Sequence, residues 1–306
     1  MTDPQSAPLS LRHNVIVCVH NGLSDVTQCL NALRDHWTGS GLDTLLIVDD
    51  CSAEETSTFL DTFCEAFEAA TLIRLDQQHF YTKAANRGLR FSQADLHTLL
   101  NSDTIVTAGW ANSIRRIFEV DKNVGIAGPM SNAASTQSLP HVKSKDGQTA
   151  INHLPDGMGP DHFARAVRGL AAGLTIPYVP VVHGFCYTIH QKVIDRIGLL
   201  DEDTFPTGYG EENDYSFRCE DAGFALAIAL DCFVYHAKSR SYSKDQQQSF
   251  TKAGQAALVK KHSMQRIENA IATMEAQPSL RTLREKVLAY WPEHDFLGTA
   301  SRETSA

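Results

Sequence analysis

The chain has 306 residues, of which 42% are hydrophobic and 21% charged, a composition typical of a globular protein and incompatible with low-complexity disorder. Its 27 basic and 36 acidic residues give a formal net charge of −9, which disfavours electrostatic binding to nucleic acid. The seven cysteines are scattered without a CxxC pair, so a zinc or disulfide framework is disfavoured and a cytoplasmic protein is expected.

Apolar strands alternate with amphipathic helices over the first 128 residues. Strands buried on both faces are predicted at 14–19, 44–48, 71–75, 97–101 and 124–128. Helices are predicted between them, with Ser24 and Ser52 as the first two N-caps, and the next two helices at 82–94 and 108–120. This alternation predicts a mostly parallel, Rossmann-like α/β sheet flanked by helices.

The second half of the chain is less regular. Residues 130–160 are rich in Ser, Asn, Pro and Gly and predict a long loop, a kind of segment that often serves as a functional lid. Strands are predicted at 178–182, 185–189, 225–230 and 232–235, and helices at 190–198 and 211–222. The chain is predicted to be helical from 245 to 291, with a break at Pro278.

Polar residues follow three of the predicted strands, at His20-Asn21, Asp49-Asp50 and Asn101-Ser102-Asp103. Ligands of such sheets bind beyond the carboxyl ends of the strands, so these residues mark the expected site. The first strand is followed by VHNGLSD, which is neither a GxGxxG fingerprint nor a phosphate loop. A bound diphosphate would therefore need another counter-charge, such as a divalent metal held by carboxylate.

Three groups of residues are candidates for chemistry, and each has a structural alternative. Asp103 is either a metal ligand or part of an NSD turn. Glu211, Glu212 and Asp214 crowd the first turn of a predicted helix, where they either complement the helix dipole or include a carboxylate whose raised pKa suits a general base. His236 is either a ligand or a hydrogen-bonded histidine at a strand end.

Seven segments occur in one order over roughly residues 14–243: VIVCVHNG, LLIVDDCS, FYTKAANRG, LLNSDTIVTAGW, VHGFCYTIHQKVIDRIGLLDE, GYGEENDYSFR and FVYHAKSRS. In these segments and their order, the chain resembles an inverting family 2 glycosyltransferase of the GT-A fold, of the rhamnosyl- or galactosyltransferase type. The resemblance implies a metal-dependent, non-processive hexosyl- or deoxyhexosyltransferase. It would move a sugar from UDP or dTDP to a glycan or lipid-linked acceptor in cell-surface polysaccharide synthesis.

The resemblance also implies roles for individual residues. Glu212 would be the catalytic base, and Asp103 and His236 would bind Mn²⁺ or Mg²⁺. The nucleotide-binding residues would be Val19, His20, Asn21, Asp49, Lys83, Asn86, Asn101 and Ser102, and those binding acceptor or sugar Gly184, Phe185, Tyr209, Glu211 and Asp214. Asp49 would accept a hydrogen bond from the pyrimidine base. Asn101 replaces the first acid of the family's DxD motif, which removes one negative charge beside the metal.

Three other enzyme classes fit the sequence less well. A sugar-nucleotide pyrophosphorylase needs a GxGxRL-type loop after the first strand, and a processive synthase needs QxxRW and membrane spans. A metal-dependent hydrolase would need a denser cluster of carboxylates and histidines. The remaining alternative is a catalytically degenerate GT-A module that binds a nucleotide or glycan without turnover.

We expect a flexible N-terminus (1–12), a GT-A domain (13–243), a helical extension (244–295) and a disordered tail (296–306). Within the domain, 13–128 would bind the nucleotide sugar and 129–243 the acceptor. Between 252 and 286 the extension carries seven basic and three acidic residues. That charge fits either peripheral contact with the inner face of a membrane, or a solvated helical cap or homodimer arm.

Overall fold

The computed structural model describes residues 11–238 and 244–298. The predicted flexible N-terminus and disordered tail lie outside the described residues, except for 11–12 and 296–298. Phe296, which we placed in the tail, is buried, and its ring contacts Phe163 and Trp291. The packed part of the chain therefore extends past the predicted end of the helical extension.

Strands and helices alternate as predicted through the first half of the chain. The strands are β1 (His13–Val19), β2 (Thr44–Asp49), β3 (Ala70–Arg74), β4 (Leu96–Asn101), β5 (Thr104–Ile105), β6 (Val124–Met130), β7 (Cys186–His190), β8 (Ala225–Phe233) and β9 (Tyr235–His236). The helices are α1 (Leu23–Asp35), α2 (Glu54–Ala66), α3 (Phe80–Phe91), α4 (Trp110–Val120), α5 (Pro160–Ala171), α6 (Gln191–Ile197), α7 (Glu211–Asp221), α8 (Lys244–His262), α9 (Met264–Ala276) and α10 (Pro278–Tyr290).

Seven strands form one central sheet in the order β3-β2-β1-β4-β7-β6-β8. β1, β2, β3 and β4 are parallel to one another, and β6 is parallel to β8, whereas β7 runs antiparallel to both β4 and β6. The prediction of a mostly parallel sheet flanked by helices is confirmed. The carboxyl ends of β1, β2 and β4 therefore meet at one edge.

Strands β1, β2 and β4 are buried on both faces, which explains why their sequences show no polar alternation. In β1, Val15 and Val17 pack into the core on one face of the sheet and Ile16 into the core on the other. Helix α3 lies close to β1 because Gly88 has no side chain: a Cβ there would stand 2.5 Å from Cγ2 of Ile16. A larger residue at 88 would push α3 away from the sheet.

A strand predicted at 178–182 does not form. This segment includes Pro180 and follows Pro177, and neither proline can donate to a sheet ladder. It runs beside β8 with two hydrogen bonds, one of them from Val179 N to Leu226 O (2.9 Å), and makes an isolated bridge at Tyr178. The predicted pair of strands at 225–230 and 232–235 is instead the single strand β8 followed by the short β9.

Helix α5 was not predicted. It begins at Pro160, and its Phe163 and Val167 are fully buried one turn apart. Proline at the first position and apolar residues four apart are helix signals, but they follow directly on the polar segment 130–160.

The predicted N-caps Ser24 and Ser52 are not caps. Helix α1 follows Gly22 and helix α2 follows Ala53. The Ser52 hydroxyl instead accepts a hydrogen bond from the backbone N–H of Asn21 (3.0 Å), which ties the end of β1 to the end of β2.

The C-terminal extension is three helices, with a break at Ser263 in addition to the one at Pro278. Helix α10 buries Leu280, Leu283 and Val287 in the main core. Helix α8 packs against α7, and α9 follows α8 after the turn. No helix in the described ranges combines the length and the hydropathy needed to cross a bilayer.

Candidate functional site

A cavity of about 680 Å³ opens at the carboxyl edge of the sheet. It lies between the ends of β1, β2 and β4, the loop before β7 and the N-terminus of α7. The predicted site residues that line it are Val19, His20, Asn101, Ser102, Asp103, Gly184, Phe185, Tyr209, Glu211, Glu212 and His236. Side chains separated by more than 200 positions in the sequence are thus brought to one place.

Asp103 and His236 form the centre of one wall. β5 and β9 pair antiparallel with Thr104 opposite His236, so the residue before Thr104 lies beside the histidine. His236 Nε2 is 3.2 Å from Asp103 Oδ1, and both side chains are largely buried. A two-residue pairing at the edge of the cavity therefore assembles the two predicted metal ligands.

The surroundings of His236 fix which nitrogen faces Asp103. Its Nδ1 is 3.0 Å from the carbonyl oxygen of Ala133, which can only accept, so Nδ1 carries a proton and Nε2 is the nitrogen directed at Asp103. The ring stacks on Phe185, with centroids 5.4 Å apart and planes at 14°. Histidines that bind metals are commonly oriented by such a hydrogen bond to a carbonyl.

This carboxylate and imidazole fit a divalent cation that completes its coordination from a substrate. Oxygen and imidazole ligands suit Mn²⁺, and Mg²⁺ in phosphate-transfer sites is usually held by one or two carboxylates together with phosphate oxygens. Within the described residues, no group of three or more His, Cys, Asp or Glu side chains is arranged to hold a metal. The remaining ligands would thus come from a diphosphate or water.

Glu211 and Glu212 form the opposite side of the site, on the first turn of α7. The Cβ of Glu212 would lie 3.3 Å from a Cβ built on Gly184, so a larger residue at 184 would crowd the carboxylate. Burial raises the pKa of Glu212, whereas hydrogen bonds from backbone N–H groups and the positive charge of Lys238 oppose that rise. A half-buried carboxylate with a raised pKa, open to a cavity, is suited to accept a proton from a bound hydroxyl.

Asp214, a predicted acceptor-binding residue, is not among those lining the cavity. Its side chain is fully buried and makes ionic hydrogen bonds on both oxygens. Arg218 Nε lies 2.8 Å from Oδ2, while Lys261 Nζ and His262 Nε2 lie 2.8 and 2.7 Å from Oδ1. Burial by itself would raise the pKa of Asp214, but the bonds from Lys261 and His262 hold it below its usual value.

Four of the predicted nucleotide-binding residues also lie away from the cavity wall: Asn21, Asp49, Lys83 and Asn86. Asn21 Oδ1 accepts from the backbone N–H of Ala53 (2.8 Å). Lys83 is exposed.

Asp49 and Asn86 are buried and occupied by protein groups. The two oxygens of Asp49 accept from Ser52 N (2.9 Å) and Arg74 Nε (3.0 Å). Asn86 bonds to both backbone groups of Leu200 and to Glu202 Oε2 (2.6 Å). In the structure these two side chains hold segments of the fold together.

Several residues of the cavity wall were given no individual role by the sequence analysis. Asp50 lines the cavity beside His20, and its Oδ1 accepts from the backbone N–H of His79 (2.6 Å). His183 also lines it; burial and the nearby Lys238 lower the pKa of its imidazole to about 4, so it is neutral at physiological pH. The sequence analysis placed Asp50 at the expected edge as part of the Asp49-Asp50 pair, and it included His183 in the segment VHGFCYTIHQKVIDRIGLLDE, but it assigned neither residue a role.

Residues of the predicted long loop also form part of the wall. The loop residues that face the cavity are Ala134, Ser135, Gln148, Thr149 and Ile151. The side chain of Arg284, on α10, donates to the carbonyl oxygens of Thr136 and Ser138 and so braces this loop. The loop therefore borders the site, and it is supported by the C-terminal extension.

Three solved structures resemble this chain in fold. GalNAc-T7, solved with UDP, GalNAc and Mn²⁺, has a TM-score of 0.58 and 14% identity over 75% of this chain and 44% of its own. Mannosyltransferase PcManGT from Pyrobaculum calidifontis, in complex with GDP-Man and Mn²⁺, has a TM-score of 0.55 and 13% identity over 94% of this chain and 89% of its own. S. aureus TarS has a TM-score of 0.51 and 11% identity over 84% of this chain and 45% of its own.

These similarities concern the fold, and they confirm the expected GT-A architecture. The chain spans less than half the length of GalNAc-T7 and of TarS. A comparison with curated protein sequences finds no significant match. The sequence model of Glycosyl transferase family 2 matches residues 14–166, half of the chain, which include Asp103 and end before Glu212 and His236. The chain therefore belongs to the family 2 glycosyltransferases.

Proposed function

We propose that the protein is a metal-dependent, inverting glycosyltransferase that moves one sugar from a nucleoside diphosphate to an acceptor hydroxyl. The observation that carries the proposal is the pairing of Asp103 with His236 in the same cavity as the half-buried carboxylate of Glu212. Asp103 and His236 fit a cation beside a diphosphate, and the carboxylate of Glu212 fits a base beside an acceptor hydroxyl. Both requirements of a single-displacement transfer are thus met within one cavity.

Asp103 Oδ1 and His236 Nε2 would hold Mn²⁺ or Mg²⁺. When bound, the metal would neutralise the diphosphate oxygens and so stabilise the leaving group. The structures of GalNAc-T7 and PcManGT both contain Mn²⁺ together with a nucleotide or nucleotide sugar. The hydrogen bond from His236 Nδ1 to Ala133 and the stacking of the ring on Phe185 would keep Nε2 directed at the metal without reorganisation.

Glu212 would accept the proton of the acceptor hydroxyl as its oxygen attacks the anomeric carbon. The new C–O bond forms as the bond to the diphosphate breaks, so both electron pairs and the proton are accounted for in one step. Attack from the face opposite the leaving group inverts the anomeric configuration. A carboxylate base contributes typically 10²–10⁴-fold to such a reaction.

The substrates are proposed from the family resemblance. The donor would be a UDP- or dTDP-sugar held by residues of 13–128, and the acceptor a glycan or lipid-linked sugar reached from 129–243. The structural neighbours differ in their nucleotide base, since one was solved with UDP and another with GDP-Man. Asp50 and His20, which both line the cavity, are the proposed contacts to the nucleoside.

A thermal-shift panel of nucleoside diphosphates and their sugars, with and without Mn²⁺, tests the proposal. A ligand present at one hundred times its Kd stabilises the folded state by about 2.7 kcal/mol. We expect one nucleotide series to raise Tm in the presence of Mn²⁺, and Asp103→Ala to remove the Mn²⁺ dependence. A flat panel would contradict the proposal and favour a degenerate binding module. Unchanged dependence in Asp103→Ala would place the metal elsewhere.

A further inference from the structure

Helix α8 belongs to the C-terminal extension, yet it contributes Gln247 to the wall of the cavity. Gln247 is half-buried, and its side chain hydrogen-bonds to that of Tyr209. Tyr209 in turn lies just before Glu211 and Glu212 at the start of α7. The amide is therefore at the same end of the cavity as the proposed base.

Phe250 lies one turn after Gln247 and holds two unusual backbone conformations in place. Its ring packs on Tyr209 (centroids 6.3 Å apart) and on Phe80 (5.9 Å). Both of these aromatic residues have φ of +63°, in the left-handed region that large side chains seldom adopt. Such conformations persist where neighbouring groups fix them, and they concentrate at binding sites.

Gly254, one turn further, brings α8 into direct contact with the same loop. Its Cα packs against the backbone carbonyl of Tyr209, and there is no room for a Cβ. Three successive positions on one face of α8, at 247, 250 and 254, thus contact Tyr209. The spacing of three and four residues is that of a single helix face.

The far end of α8 is attached to α7 by a buried ionic cluster. Lys261 and His262 both reach Asp214 Oδ1, and Lys261 also reaches Asp201 Oδ2 (2.7 Å). Asp214 is two residues after Glu212 on the same helix. Consequently α8 is fixed at one end to the loop before the base and at the other to the helix that carries it.

We propose that helix α8 forms the acceptor side of the active site, with Gln247 and Tyr209 as a binding pair for a hydroxylated ring and Phe250 as the residue that positions Tyr209. This inference rests on the proposed function, since it assigns the acceptor to the side of the cavity where Glu212 would take the proton. An amide offers both a donor and an acceptor, which suits two adjacent sugar hydroxyls. The aromatic ring of Tyr209 offers a face for the apolar side of a sugar.

The test compares Gln247→Ala with Gln248→Ala in the full chain. Gln248 is the next residue of the same helix and is exposed, so it controls for loss of an amide from α8. The first measurement is calorimetric binding of the nucleotide selected by the thermal-shift panel, with Mn²⁺. All three proteins should bind it equally, and weaker binding in Gln247→Ala alone would place Gln247 on the donor side and overturn the inference.

The second measurement is saturation-transfer NMR with a panel of para-nitrophenyl monosaccharides, in the presence of that nucleotide and Mn²⁺. We expect the wild type and Gln248→Ala to bind the same glycoside, and Gln247→Ala to bind it at least fivefold more weakly. Equal binding by both variants, or no glycoside bound by the wild type at millimolar concentration, would overturn the inference. Failure of the proposed function is distinct, because it appears as loss of nucleotide binding in the wild type.

Phe250 is tested with Phe250→Leu, which keeps an apolar side chain in the contact. If Phe250 positions Tyr209, Phe250→Leu should raise the KM for the glycoside identified by NMR when that glycoside is used as acceptor. The KM for the donor should stay unchanged. Phe250→Tyr, which keeps the ring, should restore the acceptor KM. A uniform loss of active protein with unchanged KM values would show that Phe250 serves only folding.

Discussion

Glu211 and Glu212 are adjacent on the first turn of α7, and both line the same cavity. Burial and the negative charge of Glu212 raise the pKa of Glu211 well above its ordinary value of 4.5. Burial also raises the pKa of Glu212, but hydrogen bonds from backbone N–H groups and the charge of Lys238 oppose this rise. The pKa of Glu211 is therefore raised further than that of Glu212, and Glu212 is the carboxyl group that ionises more readily.

The same substitution at these neighbours should have different kinetic effects. Glu212→Gln removes the proposed base, so kcat should fall by about 10²–10⁴-fold while the Kd for nucleotide and Mn²⁺ stays unchanged. Glu211→Gln replaces a neutral acid by a neutral amide, so its effect should fall on the acceptor KM rather than on kcat. Steady-state kinetics with calorimetry separate these results. Retained transfer in Glu212→Gln would refute the base assignment.

Glu211 also makes stability depend on pH. Its pKa is raised in the folded state, so the neutral form favours folding, and this contribution is present at low pH and is lost as the pH rises through the folded-state pKa. Glu211→Gln cannot ionise. The variant should therefore match the wild type below about pH 4.5 and gain in relative Tm above it.

Thermal denaturation across a pH series measures this difference. Glu65→Gln, at an exposed position on α2, is the matched control and should show a nearly constant difference from the wild type. A Tm difference for Glu211→Gln that shrinks as the pH rises would mean that the carboxylate, not the acid, is favoured by the fold.

Two aspartates of α7 pair with the C-terminal helices, and only one is buried. Asp214→Asn removes the charge that Arg218, Lys261 and His262 share, and should destabilise the fold by roughly 3–5 kcal/mol. Asp221 pairs with Arg266 at an exposed position, and Asp221→Asn should cost about 1 kcal/mol or less. Urea denaturation gives both values. Equal costs would mean that the buried cluster does not anchor α8.

The central sheet was predictable because each strand is marked by its own residues. Runs such as NVIVCV and TLLIV are apolar and β-branched, and burial on both faces explains their lack of alternation. The prediction of a strand at 178–182 was wrong because it gave more weight to the apolar residues of this segment than to Pro177 and Pro180. Helix α5 was missed since it follows a polar loop without an intervening strand. Local patterns thus located elements whose neighbours are themselves regular.

The candidate site was predictable only as far as the carboxyl edge of the sheet. Asp103 and His236 are brought together by a pairing of two short strands, and the order of the family motifs predicted that proximity. Whether a polar side chain faces the cavity depends instead on distant partners. The side chain of Asn86 hydrogen-bonds to Leu200 instead of facing the cavity, and Gln247 lines the cavity from helix α8, which none of the family motifs includes. These contacts have no local signature.

Asp49 and Asp50 allow a direct test of which of two adjacent polar side chains faces the cavity and binds the nucleotide. The resemblance gives the contact with the nucleotide base to Asp49, but both oxygens of Asp49 accept hydrogen bonds from Ser52 and Arg74. Asp50 lines the cavity beside His20. We therefore expect Asp50→Asn to weaken nucleotide binding by roughly 10- to 150-fold, since a hydrogen bond to a charged group contributes roughly 1.5–3 kcal/mol.

Asp49→Asn is the matched variant and should act on the fold instead. Its side chain is only 1% exposed, and losing the charge opposite Arg74 should cost roughly 1–3 kcal/mol in the free energy of unfolding. Its Kd for nucleotide, measured by calorimetry well below its Tm, should equal that of the wild type. Weaker binding in Asp49→Asn than in Asp50→Asn would return the base contact to Asp49, and Arg74 would then have to release the carboxylate when the nucleotide binds.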